Sequence, residues 1–232
     1  MVKLILFDID GTLVLTGGAG MRAMSLAFRD LFGVPDALVG VTFAGRTDRA
    51  IVEDVAARHL GNGGLTPEAF AQFCDRYVEH LEREIQVEGP GKAVLPGVRP
   101  LLDALVARAD VRLALLTGNL EPGARIKLNH FGLWNYFPWG AFGEQAVDRT
   151  HLMPVALQRG RAAGDLPDDP RHVFVVGDTP HDVACAQAAA AVAVGVATGP
   201  FSTDALRASG ADEVFEDLSD TARFVSMLDG LS

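Results

Sequence analysis

The chain has 232 residues, 49% of them apolar and 22% charged, with a formal net charge of −10, which suits one large domain, or a core domain with a smaller one inserted, around a sizeable core. No stretch collects Lys or Arg, which excludes a nucleic-acid backbone as partner, and no apolar run approaches the roughly 20 residues of a membrane span. Two cysteines, Cys74 and Cys185, exclude a disulfide framework or a zinc site; together with an N-terminus (MVKLILFD) unlike a signal peptide, they set a reduced, cytoplasmic compartment as the expectation.

The first element in chain order is an apolar run, VKLILF (2–7), ending in Asp8-Ile9-Asp10. A Gly-rich stretch follows at 16–20, and residues 20–88 read as helices only. One helix runs from about Thr47 to Leu60 and stops at Gly61. Another is capped by Thr66 with Pro67 in its first position, and carries Phe70, Phe73, Tyr77, Leu81 and Ile85 on one face. A second Gly-rich stretch spans 88–97. Residues 97–109 place Val98, Leu101, Leu102 and Leu105 at helical spacing. Then come a strand at 111–116 ending in Thr117-Gly118-Asn119, a helix at 121–131 stopped by Gly132, a strand expected near 139–142, and a helix at 151–163 stopped by Gly164. The strand at 172–176 leads into Gly177-Asp178-Thr179, with Asp182 four residues beyond the first of these acids, and a last strand spans 191–196.

The strand runs are nearly continuous rather than alternating, as in strands buried on both faces of a parallel sheet. Alternation of strand and helix predicts a doubly wound α/β core. The first two strands are separated by residues 8–110, far more than a crossover needs. The expectation is therefore a core of 1–15 and 92–232 with an inserted helical cap of 16–91, its Gly-rich flanks acting as hinges; the alternative is one fused domain with two mobile loops.

Ligands gather beyond the carboxyl ends of parallel strands. If the strands ending in Asp8-Ile9-Asp10, Thr117-Gly118-Asn119 and Asp178 are neighbours, carboxylates, a hydroxyl and an amide converge there. Crowded carboxylates repel unless a cation sits among them, and hard oxygen ligands suit Mg²⁺. Asp-Gly alone is also a common turn signal. An EF-hand loop is excluded, because Gly11 comes too early and Ala19 stands where its Glu belongs. Gly18 to Ala23 formally fits a dinucleotide pattern but does not directly follow a strand and has no acid at the needed distance; a P-loop is absent. The six His have no metal spacing.

Asp8-Ile9-Asp10-Gly11-Thr12-Leu13, Thr117-Gly118-Asn119 and Gly177-Asp178-Thr179-Pro180-His181-Asp182 resemble the first, second and fourth motifs of the haloacid dehalogenase-like (HAD) hydrolase superfamily, and the helical insert resembles its C1 cap. The resemblance implies a Rossmann-like core. It further implies Asp8 as nucleophile forming an aspartyl-phosphate, Asp10 as general acid and base, and Mg²⁺ held by Asp8, the Asp10 carbonyl and Asp178 with Asp182 in support. Thr117, Gly118 and Asn119 would bind phosphoryl oxygens. Dehalogenases of the superfamily lack an acid at the position of Asp10, so the resemblance implies hydrolysis of a small phosphorylated metabolite. A sugar-phosphate mutase and a non-catalytic binding module on the same fold are the alternatives.

The chain departs from the family at the third motif, which normally supplies a Lys. Its three Lys, Lys3, Lys92 and Lys127, all lie elsewhere, and the cation in that region is Arg149. It is expected either to replace the Lys or to be a surface residue beside Asp148. In the insert, Thr47 or Asp48 can cap a helix; Arg46 just ahead of them either serves only that local structure or reaches over the core to an anionic substrate.

Overall fold

The computed structural model of the chain describes residues 1–61 and 65–230. The first half holds β1 (Lys3–Phe7), β2 (Val14–Leu15), α1 (Ala19–Phe32), α2 (Asp48–Leu60), α3 (Pro67–Glu84), β3 (Ala93–Val94) and α4 (Val98–Val106). The second half holds β4 (Val111–Leu116), α5 (Glu121–His130), β5 (Gly140–Ala141), α6 (Leu152–Ala163), β6 (Val173–Gly177) and α7 (Pro180–Gln187), then β7 (Val192–Val196), α8 (Thr203–Ala208), β8 (Glu213–Phe215) and α9 (Thr221–Gly230).

Six strands form one sheet in the order β5-β4-β1-β6-β7-β8, all parallel. The fold is thus α/β and Rossmann-like. The continuous apolar runs have the expected cause. In β1, Ile5 and Phe7 enter one core, with α4, α5 and α9, while Leu4 and Leu6 enter the other, with α6 and α7. Alternate residues point to opposite faces, and both faces are covered. Each such side chain fully buried is worth roughly 1.5–3 kcal/mol, so the central strands are anchored from both sides.

Helices α1, α2 and α3 build a third apolar core of their own, around Phe28, Val52, Val55, Phe73, Tyr77 and Leu81. Thr66 caps α3 by accepting from the Ala69 N–H at 3.2 Å, and Thr47 caps α2 by accepting from the Ala50 N–H at 3.1 Å. The chain enters and leaves this helical unit through β2 and β3, which pair antiparallel. Beyond that pair the two connections pass so closely that a Cβ on Gly17 would lie 2.8 Å from the Gly89 Cα, and one on Gly89 would run into the Gly17 carbonyl.

Some elements differ from their expected form. The stretch 88–97 is not uniformly irregular, since it contains β3. The strand near 139–142 shortens to Gly140–Ala141, and the helix expected from residue 151 is preceded by a tight 3₁₀ turn at Arg149–His151. No helix among the described residues is long and apolar enough to cross a membrane.

Candidate active site

Parallel register aligns the strand ends. Phe7 pairs with Leu115 on one side and Val176 on the other, so Asp8, Leu116–Thr117 and Gly177–Asp178 lie side by side at the carboxyl edge. Asp8 is buried at 5% exposure, Asp178 at 2% and Asp182 at 2%. One carboxylate oxygen from each lies within 4.8 Å of those of the other two. Thr12 donates to Asp178 through its hydroxyl at 3.3 Å. A Cβ on Gly11, whose φ is +82°, or on Gly199 would overlap the Asp178 carboxylate, so the loop at Gly11 needs glycine both for its left-handed backbone and for this close approach.

Such crowding has an electrostatic consequence. Burial pushes the Asp178 carboxyl up, and the Asp8 and Asp182 charges add to the shift; burial likewise pushes Asp182 up. Arg149 is the cation among them. Its Nη2 lies 3.0 Å from the Asp8 Oδ1 and also bonds Asp182, and the residue is 5% exposed. The sequence alternative of a surface Arg paired with Asp148 therefore gives way to an inward one. The short turn that carries Arg149 runs ahead of α6 and aims the side chain at the sheet edge. Its Nε is buried without a partner.

Asp182 serves a local purpose as well. Its Oδ2 accepts from the Thr179 N–H at 3.1 Å and from the Thr179 hydroxyl at 2.7 Å, closing a capping box at the start of α7. With Oδ1 bonded to Arg149, both oxygens of Asp182 are engaged within the protein.

Asp10 has a separate setting. Its side chain is 41% exposed, and its Oδ2 accepts from Lys127 Nζ at 2.6 Å and Asn119 Nδ2 at 2.9 Å. Lys127 also donates to Asn119 Oδ1 at 2.6 Å. Sequence reasoning set Lys127 aside because it lies outside the third-motif region. It nevertheless enters the site from α5, the helix that begins just after Asn119. Burial alone would lower its ammonium pKa, but Asp10 and Asp48 beside it more than offset that and hold it above its ordinary value. Thr117 is fully buried behind Gly118 and Asn119; its hydroxyl accepts from Asn119 Nδ2 at 2.8 Å.

The helical unit meets this edge through the start of α2. The Asp48 N–H donates to the Gly118 carbonyl at 2.7 Å, and Asp48 Oδ2 accepts from the Leu120 N–H at 2.9 Å. This second bond satisfies an amide that α5 leaves without an internal partner. Burial pushes the Asp48 carboxyl up to about 6. Thr47 donates to the Val147 carbonyl at 2.9 Å. Arg46, just ahead of α2, lines the cavity formed here; its guanidinium bonds Asp54 at 3.3 Å, an acid it shares with Arg58, and the carbonyls of Thr42 and Ala50. Asp48 and Tyr77, which sequence reasoning gave only a capping and a core role, both line the resulting cavity of about 560 Å³, as do Asp8, Asp10, Lys127 and Arg149.

A divalent cation fits this donor set. Asp8 and Asp178 offer hard carboxylate oxygens, buried close together and with too little positive charge to compensate them.

The family profile described as haloacid dehalogenase-like hydrolase matches residues 5–187. The "Probable phosphatase IndB" of Dickeya dadantii is 30% identical over 224 residues, covering 95% of this chain and 92% of that protein. The phosphoglycolate phosphatase of Chromobacterium violaceum is 31% identical over 212 residues, covering 87% and 89% respectively. Among solved structures, a hydrolase from Pseudomonas syringae superposes with a TM-score of 0.71 at 21% identity, covering 98% of this chain and 99% of that one; it supports the fold. By the extent of the profile match and by two relatives aligned over nearly their whole length, the chain belongs to the haloacid dehalogenase-like hydrolase family.

Proposed function

We propose that this enzyme is a phosphatase that hydrolyses a small phosphate monoester through an aspartyl-phosphate on Asp8, with Mg²⁺ held by Asp8, the Asp10 carbonyl and Asp178, and with residues 16–91 acting as a cap over the site. The observation that carries the reading is the contrast between two acids on one cavity. Asp8 is buried beside Arg149 and Asp178, while Asp10, two residues on, is more exposed and held by Lys127 and Asn119. A nucleophile and a proton carrier need different environments of this kind.

Asp8 Oδ attacks phosphorus as the ester P–O bond breaks, and Asp10 gives its proton to the departing alkoxide. Asp10 then takes a proton from water as the water attacks the phosphoryl group, releasing phosphate and restoring Asp8. Thr117, buried and accepting from both the backbone N–H and the Nδ2 of Asn119, holds Asn119 in place, and on this reading the Gly118 N–H meets a phosphoryl oxygen. The buried, unpartnered Nε of Arg149 is a further donor for that group, and the guanidinium offsets the charge of Asp8 and phosphate together. When bound, Mg²⁺ supplies additional positive charge against the repulsion between carboxylate and phosphate. Burying several acids at strand ends is costly, which weighs against a non-catalytic binding module. A mutase would have to hold a second phosphoryl group on the cap side, where Arg46 and Lys127 are already engaged.

Phosphate release from p-nitrophenyl phosphate tests the reading. Activity should vanish with EDTA and return with Mg²⁺, and Asp8→Asn should fall to background while remaining folded by circular dichroism. Substantial turnover by Asp8→Asn, or indifference to EDTA, would overturn it.

A further inference from the structure

Helix α2 is capped by Thr47, whose side chain accepts from the Ala50 N–H. The acid that follows is not needed for that purpose, and its polar groups leave the helix. The Asp48 N–H donates to the Gly118 carbonyl at 2.7 Å, and its Oδ2 accepts from the Leu120 N–H at 2.9 Å. One residue of the helical unit thus grips the core chain on both sides of Asn119. The approach is close, since a Cβ on Gly118 would overlap the Arg46 carbonyl oxygen and lie 3.1 Å from the Thr47 Cα. Two further bonds hold the start of α2 in place, from the Thr47 hydroxyl to the Val147 carbonyl at 2.9 Å and from Arg49 Nη1 to the Glu144 carbonyl at 3.2 Å.

The gripped residue is one that holds Asp10. Asn119 Nδ2 donates to Asp10 Oδ2 at 2.9 Å, while its Oδ1 accepts from Lys127, which donates to the same Asp10 oxygen. Lys127 comes from α5, and Leu120, at the head of that helix, has no side-chain cap of its own. The Asp48 carboxylate supplies the acceptor for its N–H. Asp48 therefore bears on both groups that orient the Asp10 carboxylate, through the backbone of one and the helix of the other. From the core side, the Gly143 N–H donates to the Asn119 carbonyl at 2.7 Å; without Asp48 the segment would be held by the core alone. A displacement of about 1 Å in a group that orients a reacting one can lower a rate 10²-fold.

We propose that Asp48 is a positioning residue for proton transfer: by clamping Gly118 and Leu120 it keeps Asn119 and Lys127 aligned on Asp10, and it makes the helical unit part of the acid–base apparatus. The inference rests on the phosphatase reading and gives a residue outside the sheet a role in it.

The test compares two esters of like shape on the full chain with Mg²⁺. The leaving group of p-nitrophenyl phosphate departs without a proton, whereas the more basic phenolate of phenyl phosphate profits from one. Comparing kcat/KM confines the measurement to the steps up to departure of that group. Asp48→Ala should lower kcat/KM for phenyl phosphate by about ten-fold or more and for p-nitrophenyl phosphate by no more than about two-fold. Asp48→Asn, whose amide oxygen can still accept from the Leu120 N–H, should recover most of the loss. Thr66→Ala, which removes the cap of α3 outside the cavity, should lower Tm and leave the ratio between the esters unchanged. Should Asp48→Ala not fold, Asp48→Glu keeps the charge, displaces the acceptor by one methylene and is expected to show the same selective loss. Equal losses on both esters, an Asn variant as impaired as the Ala or Glu variant, or the same selectivity in Thr66→Ala would overturn the inference while the phosphatase reading stands. No phosphate release from either ester by the unaltered chain would overturn both.

Discussion

At the scale of single residues, the site divides its positive charge between two side chains of different character. Arg149 offers a planar fork to Asp8 and Asp182 and keeps its charge when buried. Lys127 is a compact point charge that fixes one oxygen of Asp10. If Asp10 protonates the leaving group, removing Lys127 should matter most where that proton matters most. Lys127→Met is expected to lower kcat by about 10²-fold on alkyl phosphates and by much less on p-nitrophenyl phosphate, whose leaving group departs without a proton. Parallel kinetics on the two esters check this; equal losses on both would mean that Lys127 only supports the fold. Asp8 and Asp178 were legible in the sequence because they sit one residue past apolar runs, where strand direction dictates where they point. Lys127 and Tyr77 were not, because a helix pattern reports which residues are buried and not which wall of a cavity they face. Arg149 was legible as a cation in the right stretch, although its inward direction depends on the short turn that precedes α6.

At the scale of elements, the connection between the sheet and the helical unit depends on backbone proximity. The pairing of Val14 with Val94 and Leu15 with Ala93 brings two chain segments together, and Gly17 and Gly89 then pass each other with no room for a Cβ. Gly17 also has φ +60°, which disfavours a side chain there on its own account. Gly89→Ala isolates the steric part. It should cost about 1–3 kcal/mol by overpacking and lower Tm by roughly 2–10 °C for a chain of this size; scanning calorimetry measures it. An unchanged Tm would mean that the two connections separate at no cost. The sequence made the Gly-rich flanks legible, but not the β2–β3 pair between them, since two-residue strands have no periodicity to read. The same holds for β8, whose three residues Glu213–Phe215 went unread. The longer strands β1, β4, β6 and β7 were legible because burial on both faces writes unbroken apolar runs.

At the scale of the whole molecule, a net charge of −10 is accompanied by buried acids whose protonation couples to stability. Burial pushes Asp48 from 3.8 up to about 6, and burial also pushes Asp178 and Asp182 up. A carboxyl with a raised folded pKa keeps its proton in the native chain where the unfolded chain has lost it. The native state then binds more protons, and stability falls as pH rises from the unfolded value through the folded one; for Asp48 that window is 3.8 to about 6. Without divalent cations, Tm should therefore fall from about pH 4 to pH 6 and continue to fall as Asp178 and Asp182 ionise. On the proposed reading Mg²⁺ would be held by the ionised carboxylates, so its gain in Tm should be larger at pH 8 than at pH 5. Thermal melts in EDTA and in Mg²⁺ at both values check this. A larger gain at pH 5, or none at pH 8, would remove the acidic cluster from any role in holding a cation.

The central position of β1 also sets the order in which the molecule can assemble. Its neighbours are β4, from Val111, and β6, from Val173, so the strand synthesised first must wait for partners made much later. During translation, Leu4–Phe7 emerges as an apolar segment with both edges open, the kind of segment that chaperones and misfolding compete for. Helices α1 and α3 can meanwhile pack on each other across a shorter stretch of chain, because local contacts close faster than distant ones. A ribosome-bound chain would thus carry a formed helical unit ahead of a formed sheet, and Asp8 would meet Asp178 only once β6 had docked. Every shorter nascent chain holds Asp8 without the carboxylate neighbours that complete its site.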